Sequence, residues 1–275
     1  MRSKMLFLDL DGTLLDDKKN LSDGNRAAIN AAMARGHHIV IASGRPLKST
    51  LEQAARLGLD APGQYAIAYN GAVLYDFAQK RQIYRQELAP EDLYAVFDEA
   101  NRRGIYIQTY DHEEVVIEPH NNPEIARRYC ERIHFTYHVI EDVRRDLTEN
   151  PVKALAIDFD GQEKTDAFRR WILDGMSGRL DSYFSDKYFL EIVSHGVDKG
   201  KGIERLCGLL DIPLERSIAA GDEANDRTMI ETAGIGVAMS NAIPEVKAVA
   251  NYVTERDNNH DGVAEIIERF LLSDE

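Results

Sequence analysis

Only two cysteines, Cys130 and Cys207, occur in the 275 residues. They lie far apart, match no metal-ligand spacing, and each falls in a helical pattern. Two reduced core side chains are therefore expected rather than a disulfide or a thiolate metal centre. Basic charge is also in short supply: 33 Lys and Arg face 47 Asp and Glu, a net charge of -14. A general nucleic-acid binder needs a basic face, and an anionic membrane surface would repel such a chain, so neither partner is expected. An anionic substrate would have to be met locally by lysine, arginine or a metal ion. No apolar run approaches membrane-spanning length. The opening MRSKMLFLDLDG carries basic residues, but Asp9 interrupts its short apolar run, unlike a signal peptide. A cytoplasmic protein is expected. Internal repeats and low-complexity segments are missing too.

What the chain does have is enough apolar sequence for one large domain or two modest ones. Strand and helix patterns alternate from the start. KMLFLDL (4–10), HHIVIAS (37–43) and QYAIAYN (64–70) read as buried strands. Between them, Ser22 caps one predicted helix that stops at Gly36, and Pro46 opens another that Gly58 closes. Short buried runs separated by helices signify a parallel sheet with right-handed crossovers. After residue 76 the rhythm changes. Residues 81–87 and 105–118 look like hairpin strands, helices are predicted over 90–104, 123–133 and 163–174, and further strands over 153–159 and 179–193. From Asp198 the first rhythm returns, with a helix to Leu210, a strand at SIAAGD (217–222), a helix over 226–234, a strand at GVAM (236–239) and a closing helix over 261–272. The expected fold is α/β: a Rossmann-like parallel-sheet core, residues 1–83 and 190–275, interrupted by an inserted α/β domain over 84–189.

The segment FLDLDGTLLD (7–16) ends an apolar strand in two aspartates. Residues i and i+2 of a strand point the same way, and ligands of open parallel sheets bind at the carboxyl ends of strands. Two neighbouring carboxylates repel unless a cation lies between them or one is protonated, so Asp9 and Asp11 suggest a hard divalent ion and a general acid. An aspartate-rich turn with no chemistry accounts for the fragment equally well, because Asp-Gly is a common turn. Ser43-Gly44-Arg45 offers a hydroxyl and backbone N–H groups at the next strand end, either as a phosphate cradle or as ordinary capping. Lys199 starts a helix, where it opposes the helix dipole, so either an anion holds it or it is solvated. Asp222 ends a further apolar run and Asp226 follows at a helix start, as a magnesium ligand or a simple cap.

Taken together, FLDLDGTLLD, IASGRP (41–46), YNGA (69–72), EIVSHGVDKGKGI (191–203), GDEANDRTMI (221–230) and DGVAEII (261–267) resemble the haloacid dehalogenase (HAD) superfamily, and its Cof-like subfamily of phosphatases in particular. The resemblance spans essentially the whole chain and is weakest across the middle, where that family carries its α/β cap. It implies a Mg2+-dependent phosphatase of small phosphorylated metabolites, working through an aspartyl-phosphate. Asp9 would be the nucleophile and Asp11 the general acid and base. The metal would be held by Asp9, the backbone carbonyl of Asp11, Asp222 and Asp226. Ser43, Gly44, Lys199 and Asn225 would bind the phosphate. A phosphomutase using the same Asp9 is the alternative within catalysis, and a non-catalytic phospho-ligand or magnesium sensor the alternative outside it. Glu223 stands where relatives often carry an uncharged residue, and is expected to face solvent rather than join the metal's outer shell. His37 and His38 are expected to cap a helix end, and Trp171, Tyr183, Phe184, Tyr188 and Phe189 to form core of the inserted sheet.

Overall fold

A computed structural model describes residues 3–112 and 114–273. They form two compact units, one of residues 3–84 with 198–273 and one of residues 85–112 with 114–197. The first unit begins with β1 (Met5–Leu8), α1 (Asp23–Ala34), β2 (His38–Ala42), α2 (Leu47–Leu57) and β3 (Tyr65–Ala68), followed by β4 (Val73–Asp76) and β5 (Arg81–Arg85). Ser22 caps α1 by accepting the Asn25 N–H, as expected from its place before the apolar periodicity. All four residues of β1 are buried, which requires cover on both faces of the strand and explains the uninterrupted apolar run in the sequence.

The inserted unit runs through α3 (Pro90–Arg103), β6 (Tyr106–Asp111), β7 (Glu114–Ile117), α4 (Pro123–Ile133), β8 (Tyr137–Val139), β9 (Lys153–Ile157), α5 (Glu163–Gly175), β10 (Leu180–Asp186) and β11 (Phe189–Ser194). Its six strands lie in the order β10-β11-β9-β6-β7-β8, antiparallel except for the parallel β7–β8 pair. Leu93 and Phe97 of α3 and Phe168 and Ile172 of α5 share a buried core with Ile107, Ala154, Leu190 and Ile192 of the sheet. Trp171 stacks on Phe168 and packs against that core with Phe184. Phe189 is buried, whereas Tyr188 is partly exposed.

The chain then returns to the first unit with α6 (Lys199–Leu209), β12 (Ser217–Gly221), α7 (Arg227–Thr232), β13 (Ile235–Ala238), α8 (Pro244–Lys247), β14 (Tyr252–Val253) and α9 (Gly262–Ile267), whose last turns widen into a π-helical stretch over Glu268–Leu272. The eight-stranded sheet has the order β14-β13-β12-β1-β2-β3-β4-β5. Its pairs are parallel from β14 through β3, and β4 returns antiparallel to β3. Central β1 thus lies between β2 and β12, so the chain segments leaving these three strands emerge side by side.

Several sequence expectations need correction. The strand at 81–85 is the edge of the large sheet rather than part of an inserted hairpin. The second junction lies at 197/198 rather than 189/190, because β11 pairs with β9 and β10 and so belongs to the inserted sheet. His37 closes the end of α1, its N–H donating to the Ala32 carbonyl at 3.1 Å, as expected, whereas His38 pairs with the Gly63 carbonyl instead of a helix end. Both cysteines are free and buried. Among the described residues, no helix is long and apolar enough to cross a membrane.

Candidate active site

The Asp9 N–H donates to the Ala220 carbonyl at 3.1 Å, extending the β1–β12 ladder one residue beyond the strand. The chain then folds back on itself through Leu14 N–H to Asp9 O and Leu15 N–H to Leu10 O. Gly12 makes that turn possible. Its φ is +84°, and a Cβ there would sit 2.3 Å from Asp222 Oδ2. Asp222 leaves the end of β12 and accepts the Thr13 hydroxyl at 2.7 Å, tying the two strand ends together.

Lys199, the first residue of α6, is completely buried. Its ammonium donates to Asp9 Oδ1 and Asp226 Oδ1, both at 2.6 Å. The cation that opposes the helix dipole is therefore held by two carboxylates. The other oxygen of Asp226 accepts the backbone N–H groups of Asp222 and Glu223 at 2.9 and 3.0 Å, so Asp226 also shapes the loop after β12. Carboxylate oxygens of Asp9, Asp222 and Asp226 all lie within 4.8 Å of one another.

Three carboxylates against one ammonium leave this buried cluster short of positive charge. Burial, with Asp226 adding repulsion, pushes Asp9 up to about 7, although Lys199 pulls the other way. Burial and then the charge of Asp9 push Asp222 to about 8, against the Thr13 hydrogen bond. Burial disfavours the charged Lys199, but Asp226 and Asp9 outweigh it and keep the ammonium protonated. All the donors are carboxylate oxygens, the ligands a hard divalent cation prefers. The residues present fit such an ion.

Asp11 behaves differently from its neighbour. Its carboxylate is gripped by Arg45, through Nε at 3.0 Å and Nη2 at 2.8 Å, and by Lys19 at 2.8 Å. Burial alone would raise its pKa, but Arg45 and Lys19 together hold it below the usual range. The two aspartates of the motif thus have separate cations instead of sharing one, and the Asp11 side chain stands outside the three-carboxylate group.

Of the residues expected to bind phosphate, Lys199 is in the cluster. Ser43 is buried just beyond β2, its hydroxyl accepting the Arg45 N–H at 3.1 Å, and Gly44 follows it. Asn225 reaches this loop indirectly, by donating to Asn70 Oδ1 at 3.2 Å. Glu223 is exposed, as expected. The grips of Arg45 and Lys19 on Asp11 were not foreseen, nor was Asn70. The Tyr-Asn-Gly turn after β3 was the available signal for Asn70.

Residues 6–267 match the family model of haloacid dehalogenase-like hydrolases. This chain belongs to that family. It is 31% identical over 272 residues to the Bacillus subtilis (strain 168) protein named "Putative phosphatase YxeH", covering 98% of this chain and 99% of that protein. It is 27% identical over 284 residues to 5-amino-6-(5-phospho-D-ribitylamino)uracil phosphatase YitU of the same organism, covering 97% of each. A solved haloacid dehalogenase-like hydrolase from Bacteroides thetaiotaomicron superposes with a TM-score of 0.86 at 32% identity, covering 98% of this chain and 99% of that one. This hydrolase is accordingly an enzyme of the phosphatase kind.

Proposed function

We propose that this hydrolase is a magnesium-dependent phosphatase of small phosphomonoesters, sugar phosphates or similar metabolites, and that it carries the phosphoryl group on Asp9 during turnover. The observation that carries the reading is the buried group of Asp9, Asp222 and Asp226 with a single ammonium among them. Asp9, the backbone carbonyl of Asp11 and Asp222 would hold magnesium, with Asp226 in support. Bound there, the ion supplies the positive charge that lets an anionic phosphoryl group approach a carboxylate and offsets charge on the transferring oxygens.

Asp9 attacks phosphorus as its substrate-oxygen bond breaks, and the leaving alcohol takes its proton from Asp11. Asp11, now a carboxylate, removes a proton from water as that water attacks the phosphorus of the acyl phosphate. Orthophosphate leaves, with Asp9 ionised and Asp11 protonated again. For the first step Asp11 must hold a proton, which requires Arg45 and Lys19 to release it. Their side chains are 27% and 57% exposed, leaving them room to turn away. Ser43, Gly44, Lys199 and Asn225 position the phosphoryl oxygens by hydrogen bonding.

The relative named for 5-amino-6-(5-phospho-D-ribitylamino)uracil makes phosphorylated sugar alcohols an early choice in a substrate screen. The first test is phosphate release from p-nitrophenyl phosphate by wild type and Asp9→Asn, with magnesium and with excess EDTA. Turnover only by wild type with magnesium is expected. Equal turnover by Asp9→Asn, or turnover undiminished in EDTA, would contradict the proposal.

A further inference from the structure

Tyr69 and Asn70 follow β3 and adopt successive left-handed conformations, with φ of +50° and +54°. Side-chain-bearing residues seldom do this, and such backbones persist where the surroundings hold them and cluster at functional sites. Here the turn is docked on the loop after β2. The Tyr69 N–H donates to the Arg45 carbonyl and the Asn70 N–H to the Ser43 carbonyl, each at 3.0 Å.

The Asn70 side chain is 2% exposed. Its Oδ1 accepts from Asn225, while its Nδ2 has no hydrogen-bond acceptor among the described residues. Buried donors in native proteins are almost always paired, so an open one beside a reaction site points to a group that arrives with the substrate. Its position narrows what that group is. A Cβ on residue 44 would lie 2.9 Å from Asn70 Oδ1 and 3.0 Å from Nδ2, so glycine at 44 brings the loop backbone right up to the amide. The amide therefore sits among Ser43, Gly44 and Asn225, three of the four residues assigned to the phosphate.

We infer that Asn70 is a further phosphate-binding residue, its Nδ2 donating to a phosphoryl oxygen while its Oδ1 holds Asn225 in place. This rests on the phosphatase reading above. The rival role is a turn-former only, since asparagine tolerates the left-handed region better than most residues.

Asn70→Gly separates the two roles, because glycine keeps the left-handed turn and removes the amide. Inhibition by orthophosphate and the KM for p-nitrophenyl phosphate are measured with magnesium, alongside the melting temperature. The inference predicts an unchanged or higher melting temperature, with phosphate inhibition weakened and KM raised by about 10- to 100-fold, the range for a hydrogen bond to a charged group. Asn70→Asp keeps the shape but presents an acceptor to the phosphate. Its loss should be larger near neutral pH and should shrink as the carboxyl protonates at lower pH.

Wild-type phosphate inhibition and KM in Asn70→Gly would overturn the inference. So would an Asn70→Gly that fails to fold together with an Asn70→Asp of unchanged phosphate affinity, since Asn70 would then serve the turn alone. If wild type itself neither hydrolyses the ester with magnesium nor is inhibited by phosphate, it is the phosphatase reading that fails, and this inference with it.

Discussion

Residue by residue, the strand-end cluster is governed by a local shortage of cations. A carboxyl whose pKa is higher folded than unfolded binds more protons in the folded state, so its contribution to stability falls as pH rises between the two values. For Asp222 that window runs from the ordinary 3.8 to about 8, and Asp9 follows the same sign up to about 7. In EDTA, Asp222→Asn should therefore gain melting temperature relative to wild type as pH rises through this range. His37, whose buried ring resists protonation, favours stability in the opposite direction below its ordinary 6.5, so the difference between the two proteins is the quantity to read, not either curve alone. Asp11 is held low by Arg45 and Lys19 and acts only below the window. A difference between mutant and wild type that stays flat from acid to neutral pH would refute the charge deficit. That Lys199 is out of place at a helix start was readable in the sequence, which left an anion and solvent as alternatives until the bonds to Asp9 and Asp226 decided for the anions. The clamp on Asp11 was not, since Arg45 lies 34 residues away and is brought in only by the β1–β2 pairing.

Secondary-structure elements place these side chains, and their legibility tracked their length. Strands β1, β2, β3 and β12 are buried apolar runs ending in polar residues, so both the strands and the side chains at their ends could be read. The three residues of β8, the two of β14 and the four of α8 are too short to show a period, and were missed. The misplaced second junction has a related cause. Strand β11 is a short apolar stretch that continues directly into the approach to α6, and only its pairing shows which sheet owns it. The turn after β1 makes a sharper demand. Gly12→Ala forces a side chain into a left-handed turn and onto the Asp222 carboxylate. Stability should fall by about 1–2 kcal/mol. Activity should fall further, by about a hundredfold, because the carboxylates lose their mutual alignment. Denaturant unfolding and kcat/KM on one preparation measure both. A variant as active as wild type would show that this alignment is unimportant.

Across the whole molecule, a chain of net charge -14 would receive an anionic substrate only where its negative charge is offset locally, the part assigned to the proposed ion and Lys199. The inserted unit has its own six-stranded sheet and its own core. A fragment of residues 85–197 should consequently unfold cooperatively on heating, and a fragment with no thermal transition would show that the unit depends on the rest of the chain. The phosphatase account as a whole turns on a covalent bond at one atom, Asp9 Oδ. The most direct test is to quench wild type with acid during turnover of a phosphomonoester with magnesium and map the phosphoryl group by mass spectrometry. The account predicts a phosphorylated peptide containing Asp9 that hydroxylamine reverses and that Asp9→Asn never forms. Active enzyme whose phosphoryl group is found on another residue, or that still forms the adduct in Asp9→Asn, would contradict it.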